Sequence, residues 1–178
     1  LIVKPCIGRR YSKFEFMKTL YMVRHAKSSW KDDVIDHQRP LKSSGKRDCE
    51  LVSSALKQAG IVPEKIISSD AIRAQSTALY FKEALLVNSA DFITNHDLYD
   101  FGGQNVMRVI KEFDNSLSSI MIVGHNHAFT SIANMLGNTY FDNLPTCGFL
   151  MIEFDTDSWN KIKTRVTKRV ILPRDLKE

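Results

Sequence analysis

The chain has 178 residues, 43% of them hydrophobic, and a formal charge of +5 at pH 7. That length suits one domain with one core, and no apolar run approaches the roughly 20 residues that cross a bilayer. The excess charge sits at the ends, +3 over residues 1–16 and +5 over 161–178, leaving −3 between them. The body therefore lacks the concentrated cationic face of a nucleic-acid binder.

Residues 1–16 are basic and show no period, and they lack the long apolar centre of a secretory signal. They are read as an N-terminal extension preceding a domain over 17–178, and the expected location is cytoplasmic. Cys6, Cys49 and Cys147 are odd in number and widely spaced, so no disulfide framework is implied. None belongs to a C-x-x-C pair or to a C-x5-R phosphatase loop. Reduced thiols, some packed as small hydrophobes, are expected.

From Met17 strand and helix patterns alternate. Leu20 to Val23 read as a buried strand that ends in Arg24 and His25. A polar loop, KSSWKDDVIDHQRPL, follows. Ser43 or Ser44 is expected to cap a helix running to about Ala59, with Cys49, Val52 and Leu56 on one face and Gly60 as the stop. KIISS is a second strand. Asp70 is expected to cap the next helix, whose apolar stripe is read as Ile72, Leu79 and Leu86. DFITN is a weak strand, Asn105 to Phe113 a helix, SIMIVG the clearest buried strand, and 127–136 another helix. GFLMIEFD and KIKTRVTKRVI are expected as a hairpin, the second strand carrying Lys161, Lys163, Arg165 and Arg169 on its outer face. Alternating β and α units predict an α/β protein, a three-layer α/β/α sandwich around a mainly parallel sheet.

Candidate chemistry falls at three strand ends. Arg24 and His25 end the first strand, Arg73 lies in the first turn after the second, and His125 ends SIMIVG. Parallel strands bring their carboxyl ends to one edge, where open α/β sheets bind ligands. Arginine forks and helix N-termini favour anions, so the set suits a phosphoryl group. Taken singly, each has a plainer reading as a capped histidine or a solvated arginine. Lys27 and Arg39 read equally as contacts to substrate anions and as loop cations in water. His125 and His127 have no partners completing a metal motif, so no metal and no cofactor are expected. Gly102-Gly103 reads as a turn.

The ordered segments Arg24-His25-Ala26, KSSW, RPLKSSGKRD, SSDAIRAQSTA, the LYD at Leu98 and VGHNHAF resemble the histidine phosphatase superfamily (the phosphoglycerate mutase-like group), and within it the small SixA-type phosphohistidine phosphatases. The resemblance covers about Met17 to Asp155. It implies a phosphate pocket of Arg24, His25, Arg73 and His125, with His25 the nucleophile that becomes a phosphohistidine. It also implies a backbone carbonyl that fixes the His25 tautomer. Larger relatives carry a glutamate as general acid, often directly after the Arg-His-Gly signature, where this chain has Lys27. By motif order Asp100 becomes the acid candidate. The implied substrate is a phosphorylated protein, above all protein phosphohistidine. A small phosphorylated metabolite and an inactive phosphate-binding module are the alternatives.

Overall fold

Both faces of the strand Met17–Arg24 (β1) carry apolar side chains, which commits it to the middle of a sheet covered on two sides. The computed structural model, which describes residues 17–31 and 33–177, places it there. The other strands are Lys65–Ser68 (β2), Phe92–Thr94 (β3), Ser119–Gly124 (β4), Phe149–Asp155 (β5) and Thr167–Ile171 (β6). They form one sheet in the order β3-β2-β4-β1-β5-β6. β1 to β4 are parallel, and β5 is antiparallel to both of its neighbours.

The helices Ser43–Gln58 (α1), Ile72–Ala84 (α2), Gln104–Lys111 (α3) and Ala128–Leu136 (α4) cover the sheet. The period-2 alternation of the strands divides the core between them. Leu20, Met22, Ile120 and Ile122 share a cluster with residues of α3 and α4. Tyr21, Val23, Met121 and Val123 share the other with α1 and α2. Each large apolar side chain buried this way contributes roughly 1.5–3 kcal/mol. The architecture is the expected three-layer α/β/α sandwich.

Four local expectations need correction. Lys42, not Ser43 or Ser44, stands at the N-cap of α1, without a side-chain cap. Ala71 takes that place at α2, because the Asp70 carboxylate is engaged by two histidines instead. Ile72, Leu79 and Leu86 are exposed; the buried face of α2 is Arg73, Ala74, Thr77, Ala78 and Phe81. Turning Arg73 toward the site fixes the rotation of the helix, and the alanines let it approach α1 and the sheet closely. The last strand is shorter than its pattern, since residues 159–161 form a 3-10 turn and pairing begins only at Thr167.

Other features follow the sequence. Gly60 ends α1 with φ +68°, the left-handed region that glycine enters without strain. Cys49, Val52 and Leu56 are buried on α1. Cys49 and Cys147 are free and buried. The expected N-terminal extension and Cys6 lie outside the described residues. No helix among the described residues is long and apolar enough to cross a membrane.

Strand register prepares the site. Arg24 pairs with Gly124, and Ser68 with Val123. The next residues, His25, Ser69 and His125, therefore leave the sheet side by side at its carboxyl edge.

Candidate active site

His25 follows the last residue of β1, and its backbone N–H donates to the Gly124 carbonyl at 2.9 Å. Its ring is held from both sides. Nδ1 lies 2.8 Å from the Ala26 carbonyl oxygen, and Arg73 Nε lies 3.3 Å from Nε2. A carbonyl only accepts and a guanidinium only donates. The two partners thus assign the tautomer: the proton is on Nδ1 and the lone pair is on Nε2. The carbonyl lock implied by the sequence resemblance is present: the His25 Nδ1–H donates to the Ala26 carbonyl.

Ala26 is braced in turn. Its N–H donates to Thr77 Oγ1 at 2.9 Å, and that hydroxyl donates to the Arg73 carbonyl at 2.7 Å. Thr77 is wholly buried. One side chain on the second turn of α2 therefore sets the loop carrying His25 against the helix carrying Arg73.

His125 lies behind His25, fully buried, with ring centroids 5.0 Å apart. Its Nε2 is 2.8 Å from Ser69 Oγ. Tyr99 and Phe101 cover it on the cavity side. Gly124 just before it has no room for a side chain, since a Cβ there would sit 2.6 Å from the Phe129 ring. Burial and then the charges of Arg73, Arg24 and Arg39 lower the His25 pKa to about 3, against the opposing pull of the Ala26 carbonyl. Burial and the neighbouring His25 lower that of His125 to about 2. Both rings are neutral at physiological pH.

Arg24 reaches across to the 143–144 segment, donating through Nη1 to the Leu144 carbonyl at 2.6 Å and to Asn143 Oδ1 at 3.2 Å. Its Nε and the His125 Nδ1 are buried without a hydrogen-bond partner among the described residues. Unpaired buried groups of this kind are costly unless a ligand satisfies them.

Sequence reasoning missed Asp36. The 3-10 turn Asp36–Gln38 carries it to the centre of the cationic groups. Its carboxylate accepts from Arg73 Nη2 at 2.9 Å, Arg39 Nη1 at 2.8 Å and the Tyr99 hydroxyl at 2.6 Å. Burial opposes its ionisation, but the bonds from Tyr99 and Arg39 and the charge of Arg73 outweigh that and hold it well below the usual carboxylate range. Three of the five Arg73 N–H groups are spent on His25 and Asp36, leaving two for a ligand. No local pattern marks Asp36 as the hub, because two of its three partners, Arg73 and Tyr99, lie 37 and 63 residues away along the chain.

Arg39 is not a solvated cation. It is buried, donates to the Ser29 carbonyl and Ser28 Oγ, and stacks its guanidinium 3.2 Å from the centroid of the Trp30 ring. Lys27 is exposed beside it. Asp100 is a capping residue: its carboxylate accepts from the N–H groups of Gly102, Gly103, Asn105 and Val106 at the start of α3. Burial raises its pKa, and those four donors together more than reverse it. A carboxylate so held is a poor proton donor.

The cavity over these groups has a volume of about 600 Å³ and is lined by Arg24, His25, Lys27, Trp30, Asp36, Arg39, Arg73, Tyr99 and Phe101, among others. His125 is fully buried against His25 and is not among the lining residues. The cavity is cationic, open, and built around two neutral histidines.

Residues 20–113 match the sequence model of the histidine phosphatase superfamily (branch 1). The chain belongs to that superfamily. It is a phosphatase of this family. An uncharacterized chloroplastic protein of Arabidopsis thaliana is 29% identical over 153 residues, covering 81% of this chain and 70% of the relative. An uncharacterized protein of Mycobacterium tuberculosis is 26% identical over 116 residues, 65% of this chain and 70% of that one. The fold matches a candidate phosphohistidine phosphatase SixA from Agrobacterium tumefaciens, with TM-score 0.69, 24% identity, and 77% and 92% of the two chains covered. It also matches a protein histidine phosphatase SixA complexed with tungstate, with TM-score 0.72, 18% identity, and 89% and 99% covered.

Proposed function

We propose that residues 17–178 form a metal-independent phosphatase that removes phosphoryl groups from protein phosphohistidine through a phosphorylated His25. The Nε2 lone pair attacks phosphorus in line. The bond from phosphorus to the substrate nitrogen breaks as the bond to Nε2 forms. A substrate ring protonated on its other nitrogen departs as neutral imidazole. Water then attacks phosphorus, the bond to Nε2 breaks with its electron pair returning to the ring, and the proton of the water passes to solvent.

Arg24 and Arg73 line the cavity and supply donors for the phosphoryl oxygens, and the buried His125 ring backs His25. Positioning and electrostatic stabilisation of this kind are the main requirements of phosphoryl transfer. Two guanidinium groups supply the positive charge that a metal ion would otherwise bring.

The observation that carries the substrate class is the state of the carboxylates. Among the described residues, Asp36 is the one acidic side chain lining the cavity, and Arg73, Arg39 and Tyr99 hold it ionised. Asp100 is tied to backbone N–H groups. An alkoxide leaving group needs a proton that neither is set up to give, whereas a phosphoimidazole brings its own. A small phosphoester is therefore the weaker reading.

The test compares turnover of a phosphohistidine protein with a panel of alkyl phosphates, each with and without EDTA. Preference for the phosphohistidine protein, undiminished by EDTA and competitively inhibited by tungstate, is expected. Higher kcat/KM on an alkyl phosphate would replace the substrate assignment. Loss of activity in EDTA, restored by a divalent ion, would end the metal-free reading.

A further inference from the structure

Beside the cavity, three side chains from three separate loops meet. His37 follows Asp36 in the 3-10 turn, Asp70 follows β2, and His96 opens the 3-10 turn after β3. Asp70 sits between the rings: Oδ1 is 2.9 Å from His37 Nε2, and Oδ2 is 2.8 Å from His96 Nδ1. One ligand atom from each residue lies within 4.8 Å of the other two. None of the three touches the His25 phosphoryl site in the scheme above.

We infer that His37, Asp70 and His96 form a rim site for a single Zn²⁺ ion. Two imidazole nitrogens and a carboxylate oxygen are a donor set that zinc takes in three-ligand sites, with the fourth position left to water. Tetrahedral zinc with bonds near 2.0–2.1 Å spaces its ligand atoms about 3.3 Å apart. The trio must close by roughly 1.5 Å at its widest, which His96 allows because its side chain is 73% exposed. His37 and Asp70 are each 31% exposed, open enough to admit an ion yet anchored. The Asp70 backbone is held by Gln75 Nε2 at 2.8 Å, and Asn95 Oδ1 accepts from the Asp97 N–H beside His96. Without an ion these two nitrogens donate to the Asp70 carboxylate; a bound ion would replace both hydrogen bonds, each ring giving up that proton or carrying it on its other nitrogen. Mg²⁺, which prefers a full oxygen shell, is the wrong partner for two imidazoles.

An ion here ties together three loops at the carboxyl edge of the sheet, one of which supplies Asp36. The inference stands on the rim geometry alone, and its test reads binding and melting rather than turnover. Protein stripped with EDTA and exchanged into chelator-free buffer should bind one Zn²⁺ per chain in equilibrium dialysis, without competition from excess Mg²⁺. Its melting temperature should rise with added Zn²⁺. His96→Ala and Asp70→Asn, checked for fold by circular dichroism, should lose both effects. His127→Ala and His25→Ala should keep them. Absence of saturable Zn²⁺ binding, or its survival in His96→Ala, would overturn the site. So would its loss in His25→Ala, which would place the ion in the phosphoryl cavity instead.

Discussion

Arg73 Nε and His25 Nε2 lie 3.3 Å apart, so the guanidinium donates to the lone pair that the proposed mechanism uses for attack. Burial, with the arginine's charge, keeps the ring neutral, and the contact aims Nε2 toward the arginine that would hold the incoming phosphoryl oxygens. It also gives the two residues separable roles.

The first test is their substitution. His25→Ala should remove the covalent route and leave activity near background, with tungstate binding partly retained through Arg24 and Arg73. Arg73→Ala should keep the route but lower kcat by about 10²–10³, the usual cost of one charge-stabilising contact. Brief incubation with labelled substrate followed by alkaline quench should label wild type with an acid-labile, alkali-stable adduct. A label on serine, aspartate or cysteine would refute the nucleophile assignment.

A second outcome concerns acid stability. The folded-state pKa of His125 is about 2 against an ordinary value of 6.5. The unfolded chain therefore binds the extra proton throughout that interval, and the folded protein must lose stability as pH falls through it. His125→Asn should melt with a smaller difference between pH 7 and pH 4 than wild type does. An equal or larger difference in the variant would show that His125 is not buried neutral.

Asp36→Asn separates positioning from acid catalysis. As a positioning group for Arg73 and Arg39, its loss should lower kcat/KM about equally for aryl and alkyl phosphates. An acid would matter far more for the alkyl substrates, whose leaving groups need the proton. A selective loss on alkyl phosphates would make Asp36 the general acid after all.

Asp100→Ala should act on folding. Removing a carboxylate that caps the first turn of a helix costs about 0.5–2 kcal/mol, seen as a lowered melting temperature. The kcat measured well below that temperature should stay within about twofold, since so small a factor corresponds to less than 0.5 kcal/mol of barrier. A fall in kcat of a hundredfold with unchanged melting would restore Asp100 to the catalytic list.

The amino-acid sequence by itself determined the order of strands and helices, the layered architecture, and the strand-end positions of Arg24, His25, Arg73 and His125. Those features follow from local signals: apolar runs of strand length, turn residues between them, and the rule that parallel strands share a carboxyl edge. Tertiary structure alone decided the rest. Which face of α2 is buried turned on Arg73 and Thr77 finding partners in other segments, while alanines at 74 and 78 left a hydropathy stripe weaker than the exposed Ile72 and Leu79. Asp36 became the hub of the site, and Asp70 the meeting point of His37 and His96, through contacts spanning 26 to 63 residues of chain. Asp100, placed by motif order among candidate acids, was turned by four backbone N–H groups into a cap. Periodicity reports which side of an element is apolar. It carries no record of which distant side chain will share a hydrogen bond, because that pairing exists only after the sheet has brought its loops to one edge.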